Sequence, residues 1–241
     1  MVTLTRPGSL LATPDPQGHI SGLLYAAEED LVNALNVLTL FERTLDPALV
    51  TVGPSQVAEE EERYKKLAAR LVGGLGMDIL ECRFDVDAMF DRERWARGQR
   101  PKRLPWRLSI VYARSFVQVL NRVRYLLEAL AQLPGVPKDA RAQAAKLQTR
   151  LPGLAGVRDS TEHLHERLLR RAKRGRKRAT LNTPVILSEN LSANRLVSTM
   201  SNGHSGEVEI SRQTVELTAA YVQAAIDALD WTGPPQVSYL G

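Results

Sequence analysis

The stretch "WRLSIVYARSFVQVLNRVRYLLEALAQL", residues 106–133, carries a long and regular apolar pattern. Its apolar residues recur at steps of three and four, as one face of an α-helix requires. They are Leu108, Val111, Tyr112, Phe116, Val119, Val123, Leu126, Leu127 and Leu130. The stretch therefore predicts a long amphipathic helix that buries its apolar face against other helices.

Two further helices are predicted before this stretch. Residues 23–45 have the same spacing, with apolar members at Leu24, Leu31, Leu35, Leu38 and Phe41. Residues 55–76 place acids in the first turns and Lys and Arg later, which matches the helix dipole. Between residues 77 and 104 the pattern is weaker, and it predicts a short helical piece followed by a loop.

Three more helices are predicted after it. One lies within residues 136–151, and a second starts at Asp159, after the Pro/Gly break "PGLAG", and continues to about Lys173. Asp159 and Glu162 fit the spacing of a capping box at the start of this second helix. The last helix covers residues 211–231 and has Ser211 as its cap.

The two remaining segments are predicted to be non-helical. Residues 1–22, with three prolines, are expected to form an irregular lead. Residues 183–211 contain short β-like pieces and the turn sequence "NGHSG", which predicts a small hairpin or three-stranded sheet. The predicted fold is mainly α: an up-and-down helical bundle with a small β-hairpin insertion near the C-terminus, forming one domain over residues 23–241.

Composition fits a folded, largely helical protein. Of 241 residues, 44% are hydrophobic but only 5% are aromatic, and the net charge of +5 would attract a polyanion or an acidic partner. Cys82 is the only cysteine, which excludes an intrachain disulfide and a thiolate zinc cage. No run of signal-peptide or membrane-span length is present, so a cytoplasmic protein without membrane contact is expected. The absence of a Walker loop, a dinucleotide fingerprint and a nucleophile elbow predicts no cofactor.

The stretch "GVRDSTEHLHERLLRRAKRGRKR", residues 156–178, contains groups that can cleave RNA without metal. Arg158 and His163 form an R-x-x-x-x-H pattern. Arginine can hold a phosphate through two charged hydrogen bonds, and histidine can take a proton from a ribose 2′-hydroxyl near neutral pH. With 25 Arg and four His in the chain, about one such match arises by chance. The pattern gains weight from its setting: Asp159 follows the arginine, and a long apolar helix precedes the motif.

This motif resembles that of the HEPN superfamily, small helical bundles with an R-x(4–6)-H motif and a polar residue after the arginine. Here it reads Arg158, Asp159 and His163, with Glu162 before the histidine, and His165 satisfies the longer spacing. The resemblance covers the motif helix and, more loosely, residues 105–173, but not the β segment. It implies a four-helix bundle, a homodimer that joins two Arg/His pairs in one cleft, and in active members a metal-independent endoribonuclease.

The resemblance also implies roles and partners. Arg158 would hold the scissile phosphate, His163 would act as general base or acid, and Asp159 would orient one of them. RNA would be the substrate. Many members act in toxin–antitoxin or antiphage systems, which implies an antitoxin-like protein partner, and some members have lost activity and only bind RNA or partners.

Helix geometry separates the two histidines. At roughly 100° per residue, Arg158 and His165 lie roughly 20° apart, whereas Arg158 and His163 lie roughly 140° apart. His165 is therefore the better partner within a regular helix. His163 fits the family spacing, and it could meet Arg158 through an irregular first turn or across a subunit interface. A metal site built from these histidines and Glu162 or Glu166 is not expected, because imidazoles two residues apart point to different helix faces.

Two basic stretches are candidate nucleic-acid contacts. The first follows the motif, and its candidate residues are Arg167, Arg170, Arg171, Arg174, Arg176, Lys177 and Arg178. These residues would equally suit a basic helix end favoured by the dipole, followed by a loop. The second stretch, residues 92–107, mixes Trp95 and Trp106 with cations, as single-strand binders do. Because Trp also anchors loops on helices, the structural interpretation is favoured there.

Two functions follow from these observations. The first is an HEPN-like RNA-directed protein, a metal-independent endoribonuclease of a toxin–antitoxin or defence type. The second is a non-enzymatic helical module that binds nucleic acid or an acidic protein, with Arg158 and its neighbours forming a solvated helix face.

Overall fold

The computed structural model describes residues 2–15, 17–45, 54–75, 79–98, 104–162, 189–199 and 205–240. The described chain is mainly α-helical, with short antiparallel strands at its beginning and toward its end, and this confirms the predicted fold class. The helices are α1 (His19–Leu45), α2 (Pro54–Leu75), α3 (Ile79–Ala96), α4 (Leu104–Gln132), α5 (Lys138–Arg141), α6 (Gln143–Arg150), α7 (Gly153–Glu162) and α8 (Arg212–Asp227). The strands are β1 (Thr3–Arg6), β2 (Leu10–Leu11), β3 (Glu189–Ser192), β4 (Arg195–Thr199), β5 (Ser205–Glu209), β6 (Trp231–Thr232) and β7 (Gln236–Tyr239).

The chain forms two compact units, residues 1–41 with 110–241, and residues 42–109. The larger unit has one apolar core to which α1, α4, α7, α8 and the strands contribute. The five residues predicted as the apolar face of α1 are all buried. In α4 the buried face includes Phe116, Leu120 and Leu127, but Val111, predicted to belong to it, is exposed. The 3.6-residue period thus identified both helices because each one buries one face.

The first residues of the chain are not the irregular lead that was predicted. Strand β1 pairs antiparallel with β7, Thr3 opposite Tyr239, and β2 pairs with β6. Gln223 of α8 joins this pairing, since its side chain accepts from the Thr5 amide and donates to the Thr5 carbonyl, both at 2.7 Å. These strands form because residues distant in the sequence make hydrogen bonds with their backbone groups. Such partners cannot be predicted from the local sequence pattern.

The start of α1 is fixed by a carboxylate. Asp15 accepts hydrogen bonds from the backbone amides of Ile20 at 3.1 Å and Ser21 at 2.9 Å. These amides belong to the first helical turn, whose N–H groups have no partner within the helix. The helix can therefore begin at His19, four residues before the predicted start.

The predicted β segment contains a three-stranded antiparallel sheet in the order β3–β4–β5. Leu196 and Val208 lie opposite each other and face the core. Helix α7 packs on β4 and β5. At Gly153 a side chain would overlap the backbone carbonyl of Glu207, so the glycine allows the first turn of α7 to approach β5 closely.

The motif helix starts earlier than the sequence predicted. Asp159 lies inside α7, six residues after its start at Gly153, so the prediction of a capping box with Asp159 at the N-terminus is wrong. The break "PGLAG" was interpreted as a helix stop. The interruption itself is confirmed, since α6 ends at Arg150. It is shorter than predicted, because residues 153–156 supply the first turn of α7, where burial of Leu154 and Val157 in the core outweighs the low helix propensity of glycine.

The last helix is also shorter than predicted, and it ends at Asp227. Ser211 is its N-cap, as predicted, and accepts from the Thr214 amide at 3.3 Å. Trp231 belongs to β6, and its indole N–H donates to the Ile226 carbonyl at 2.8 Å. This bond anchors the chain directly after the helix.

The smaller unit contains α2 and α3, which pack on each other through their own apolar cluster. Val86 and Phe90 of α3 contact Leu67 and Ala68 of α2, and the ring of Tyr64 meets that of Phe90 edge to face at 5.5 Å between centroids. Helix α3 extends over 18 residues, whereas the sequence predicted only a short helical piece. Its apolar period is weak, and packing on α2 stabilises the helix.

Candidate functional site

Helix α7 presents the first residues of the Arg/His motif. Leu154 and Val157, three residues apart, point into the core with no exposed surface. Arg158 and Asp159 follow directly, so they lie at the border between the buried and the exposed face of the helix. The position of these two residues is set by the packing of α7 on β4 and β5.

Arg158 is paired with its neighbour in the chain. Its Nη1 atom lies 3.0 Å from Oδ1 of Asp159, and the bond satisfies hydrogen-bond geometry. The Arg158 side chain is 25% exposed and that of Asp159 is 47% exposed. The carboxylate therefore orients the guanidinium and screens part of its charge, while a quarter of the arginine surface stays accessible to solvent.

A tyrosine of α4 forms the second contact of Arg158. The guanidinium carbon of Arg158 lies 5.9 Å from the ring centroid of Tyr125, and that of Arg124 lies 4.2 Å from the same centroid. Both distances are within the range of cation–π attraction. Tyr125 is itself 44% exposed, so its ring is in contact with two cations and with solvent.

Arg124 is buried and held by polar partners on its own helix. Its Nε donates to Oδ1 of Asn121 at 3.0 Å, and its guanidinium forms an ion pair with Glu128. Asn121 is fully buried. This polar group in the apolar face of α4 fixes Arg124 under the ring of Tyr125, because a buried guanidinium without such partners would be costly.

An ion pair joins α4 to α1 in the same region of the sequence. Arg122 Nε lies 3.2 Å from Oδ2 of Asp30, which is buried, while the Arg122 side chain is mostly exposed. The Oδ2 atom has no aligned hydrogen bond, so the contact is mainly coulombic. Burial raises the pKa of Asp30 above its ordinary value, and Arg122 and a hydrogen bond with Asn33 oppose this rise.

The structure brings together only some of the predicted site residues. Arg158 and Asp159 are in direct contact, and Glu162 is the last residue of α7. His163 and His165 lie outside the described residues. So do the seven basic candidates from Arg167 to Arg178. Within the described ranges, no group of three or more His, Cys, Asp or Glu side chains is placed to hold a metal ion.

Tyr125 and Arg124 are two residues of this site that were not predicted from the sequence. They occur in "NRVRYLLE", residues 121–128, where four polar or charged residues, Asn121, Arg122, Arg124 and Glu128, interrupt the apolar pattern of the long helix. That interruption is the one local signal of a polar site. The contact with Arg158 spans 33 positions of the chain and depends on the packing of the larger unit, so the signal does not identify the partner.

Comparison with protein-family models, with curated proteins and with solved structures finds no match to this chain. Where the chain is described, none of its helices combines the length and the apolar character needed to cross a membrane.

Proposed function

We propose that this chain is an HEPN-like RNA-directed protein that cleaves RNA without a metal ion. The observation that carries the proposal is the placement of Arg158: a guanidinium on a packed helix, oriented by Asp159, beside the exposed ring of Tyr125. An arginine whose direction is fixed in advance loses little entropy when it binds a phosphate. The aromatic ring offers a surface on which an unstacked base can rest.

In the proposed reaction, His163 takes the proton of the ribose 2′-hydroxyl. The 2′-oxygen then forms a bond to phosphorus, and the bond from phosphorus to the 5′-oxygen breaks. The 5′-oxygen leaves with a proton from water or from a second histidine, for which His165 is the candidate. Arg158 stabilises the negative charge that builds up on the phosphate oxygens. The products are a 2′,3′-cyclic phosphate and a free 5′-hydroxyl.

The proposal includes the partners that the resemblance implies. A homodimer would join two Arg/His motifs in one cleft, and this would solve the angular mismatch between Arg158 and His163 on a regular helix. An antitoxin-like partner would be acidic, since the chain carries a net charge of +5. The cationic residues between Arg167 and Arg178 would hold the RNA backbone. A cytoplasmic location completes the proposal.

A second candidate function rests on the Arg158–Asp159 pair. Because the carboxylate of Asp159 already satisfies part of the guanidinium, the pair can be a structural element of α7. The chain would then be a non-enzymatic module that binds nucleic acid or an acidic protein. In that case Arg158 would contribute to binding only by electrostatic attraction, and it would have no role in a cleavage reaction.

The test is incubation of the purified full chain with end-labelled RNA in EDTA, with analysis of the product ends. Cleavage that yields 2′,3′-cyclic phosphate and is lost in Arg158→Ala and in His163→Ala supports the proposed reaction. The matched control is Arg150→Ala, an exposed arginine on α6, which should cleave as the wild type does. Equal cleavage by the Arg158→Ala/His163→Ala double variant would reject the mechanism. RNA that is bound but left intact by every variant would favour the binding module.

A further inference from the structure

The smaller unit has two exposed tryptophans that the proposed reaction does not use. Trp95 is 67% exposed and Trp106 is 52% exposed. The third tryptophan of the chain, Trp231, is half-buried and hydrogen-bonded through its indole N–H. Tryptophan combines a large apolar ring with a polar N–H group and is enriched at interfaces, so an exposed indole beside a cation is a candidate binding group. Rings this exposed bury little apolar area, which weighs against the simpler interpretation that these residues anchor loops on helices.

Helix geometry explains why Trp95 points outward. Val86, Phe90 and Arg94 recur every four residues on α3 and are buried, and Arg94 forms an ion pair with Glu60 of α2. At roughly 100° per residue, Trp95 lies roughly 140° from Phe90 around the helix axis. The face that packs on α2 therefore leaves Trp95 on the opposite side.

A cation shares the outer face with Trp95. Arg92 is exposed and lies roughly 60° from Trp95 around the same helix. Two acids lie near these residues in the helix. Glu93 pairs with Arg97 at 3.3 Å on a different side of the helix, and Asp91, roughly 40° from Trp95, is partly buried and has an interaction of its own. The outer face of α3 thus presents an aromatic ring and a guanidinium together.

The first turn of α4 also carries an exposed tryptophan next to an arginine in the sequence, with the two side chains roughly 100° apart around the helix. Trp106 is followed by Arg107, and both side chains are exposed. The backbone of Trp106 is fixed by the Ser109 hydroxyl, which donates to the Trp106 carbonyl at 2.8 Å. Arg92 with Trp95, and Trp106 with Arg107, are called the Trp–Arg pairs below.

We infer that the Trp–Arg pairs bind single-stranded nucleic acid by stacking bases on the indole rings and neutralising phosphates with the arginines. This chemistry suits single strands because every base has a π-face and every nucleotide a phosphate, whereas a duplex keeps its bases stacked on one another. It also predicts weak sequence preference and strong salt dependence. The inference does not depend on the cleavage reaction, since none of its residues belongs to the Arg/His motif.

The experiment is a titration of the full chain with an oligouridylate of about 20 nucleotides, long enough for several stacking contacts. A 2′-deoxy version of the oligonucleotide and EDTA prevent cleavage during the measurement. The tryptophans report directly, because stacked bases quench indole fluorescence. We expect quenching in the wild type and a loss of affinity of roughly 5- to 150-fold in each of Trp95→Leu and Trp106→Leu, the range that alanine substitution of a stacking aromatic gives.

The matched control is Tyr25→Leu, which removes an aromatic residue of similar exposure from α1 and should leave the affinity unchanged. Trp95→Phe and Trp106→Phe should retain most of the affinity, because phenylalanine also stacks on bases. In the Trp95→Leu/Trp106→Leu double variant only Trp231 remains, and its emission should respond little to the oligonucleotide.

Two results would overturn the inference. One is wild-type affinity in the double variant, which would show that RNA binds elsewhere in the chain. The other is a blue shift of the tryptophan emission with anionic lipid vesicles but no change with the oligonucleotide, which would assign the Trp–Arg pairs to a membrane surface. Failure of the cleavage proposal would give a different pair of results. RNA would stay intact in the cleavage assay, while the oligonucleotide would still quench the tryptophan fluorescence.

Discussion

The guanidinium carbon of Arg158 lies 5.9 Å from the centre of the Tyr125 ring, so a residue of the predicted motif meets a residue of the helix that organises the core. The position of the candidate phosphate-binding arginine therefore depends on how α4 and α7 pack. Any change in the packing of α4 or α7 should alter the direction of the arginine.

Replacing Tyr125 should weaken the function of Arg158 without removing it. Tyr125→Leu removes both the cation–π contact that orients the arginine and the ring on which a base can rest. RNA affinity is expected to decrease by at least about twofold, which corresponds to about 0.5 kcal/mol for the cation–π contact alone. Tyr125→Phe keeps the aromatic face and should behave nearly as the wild type. A double-mutant cycle with Arg158→Ala measures the coupling. Additive effects of the two substitutions would show that the contact is incidental.

Gly153 should tolerate no side chain. In Gly153→Ala the new methyl group would overlap the Glu207 carbonyl, and overpacking of this kind typically costs about 1–3 kcal/mol of unfolding free energy. Gly22→Ala is the control, because Gly22 is also helical and a Cβ atom there meets nothing within 4 Å. The control should be neutral or stabilised by up to about 1 kcal/mol. Urea unfolding measures the free energy of unfolding of both variants. Equal values would mean that α7 can shift away from β5 to make room for the methyl group.

The buried carboxylate of Asp30 should make stability fall as the pH rises. Its pKa in the folded protein is raised above the value of 3.8 that it would have in the unfolded chain, so the unfolded state gives up this proton first. The contribution of Asp30 to the free energy of unfolding is therefore fully present below the pKa of the unfolded chain. It is lost as the pH rises through the pKa of the folded protein. Asp30→Asn stays neutral and should be more stable than the wild type at pH 7.

This difference between Asp30→Asn and the wild type should shrink as the pH approaches 3.8. Denaturant unfolding of both proteins at a series of pH values measures how the difference in their free energies of unfolding depends on pH. A variant less stable than the wild type at neutral pH would show that the ion pair with Arg122 outweighs the cost of burying the charge.

Asp15 should give the opposite pH dependence. Partial burial raises its pKa, but the bonds from Ser21 and Ile20 outweigh this and hold the pKa below 3.8. The contribution of Asp15 to the free energy of unfolding is therefore present above the pKa of the unfolded chain. It is lost as the pH falls through the pKa of the folded protein. Asp15→Ala should destabilise by about 1 kcal/mol at neutral pH, the usual loss of a helix cap.

Asp15→Asn retains an acceptor for the same amides and should recover most of this stability at neutral pH. It lacks the carboxylate, so its stability should not share the acid-dependent loss. Thermal unfolding at pH 7 and near pH 3 separates the three proteins. A loss in Asp15→Asn as large as that in Asp15→Ala would indicate that charge, and not hydrogen bonding, fixes the start of α1.

The parts of the fold that the sequence predicted are those that bury one helical face. Helix α4 and helix α1 were identified because Phe116 and Leu31 belong to stripes that the core requires. Strands β1 and β2 were missed, since their hydrogen bonds go to residues more than 200 positions away, such as Tyr239. The start of α7 was misplaced because the close approach of Gly153 to Glu207 is a tertiary contact, whereas glycine in isolation indicates a break.

The candidate site was predictable only where its residues are adjacent in the chain. Arg158 and Asp159 are neighbours in direct contact, and the resemblance to the HEPN superfamily implied that Asp159 orients either Arg158 or His163. Tyr125 could not be chosen from the sequence, because in a helical pattern it counts as one more large apolar residue. The Trp–Arg pairs were visible as a composition, but only the exposure of both indoles distinguishes a binding surface from a structural anchor.

The pairing of β1 with β7 has a consequence for how the protein is made. Thr3 is synthesised before Tyr239, the residue opposite it, so its strand cannot form until Tyr239 has left the ribosome. Residues 42–109 face no such delay, because their unit is continuous in the chain. Contacts of such large sequence separation slow folding. During synthesis the α2–α3 unit can therefore be complete while the first strand is still unpaired and accessible to chaperones, and to other chains with a free strand edge.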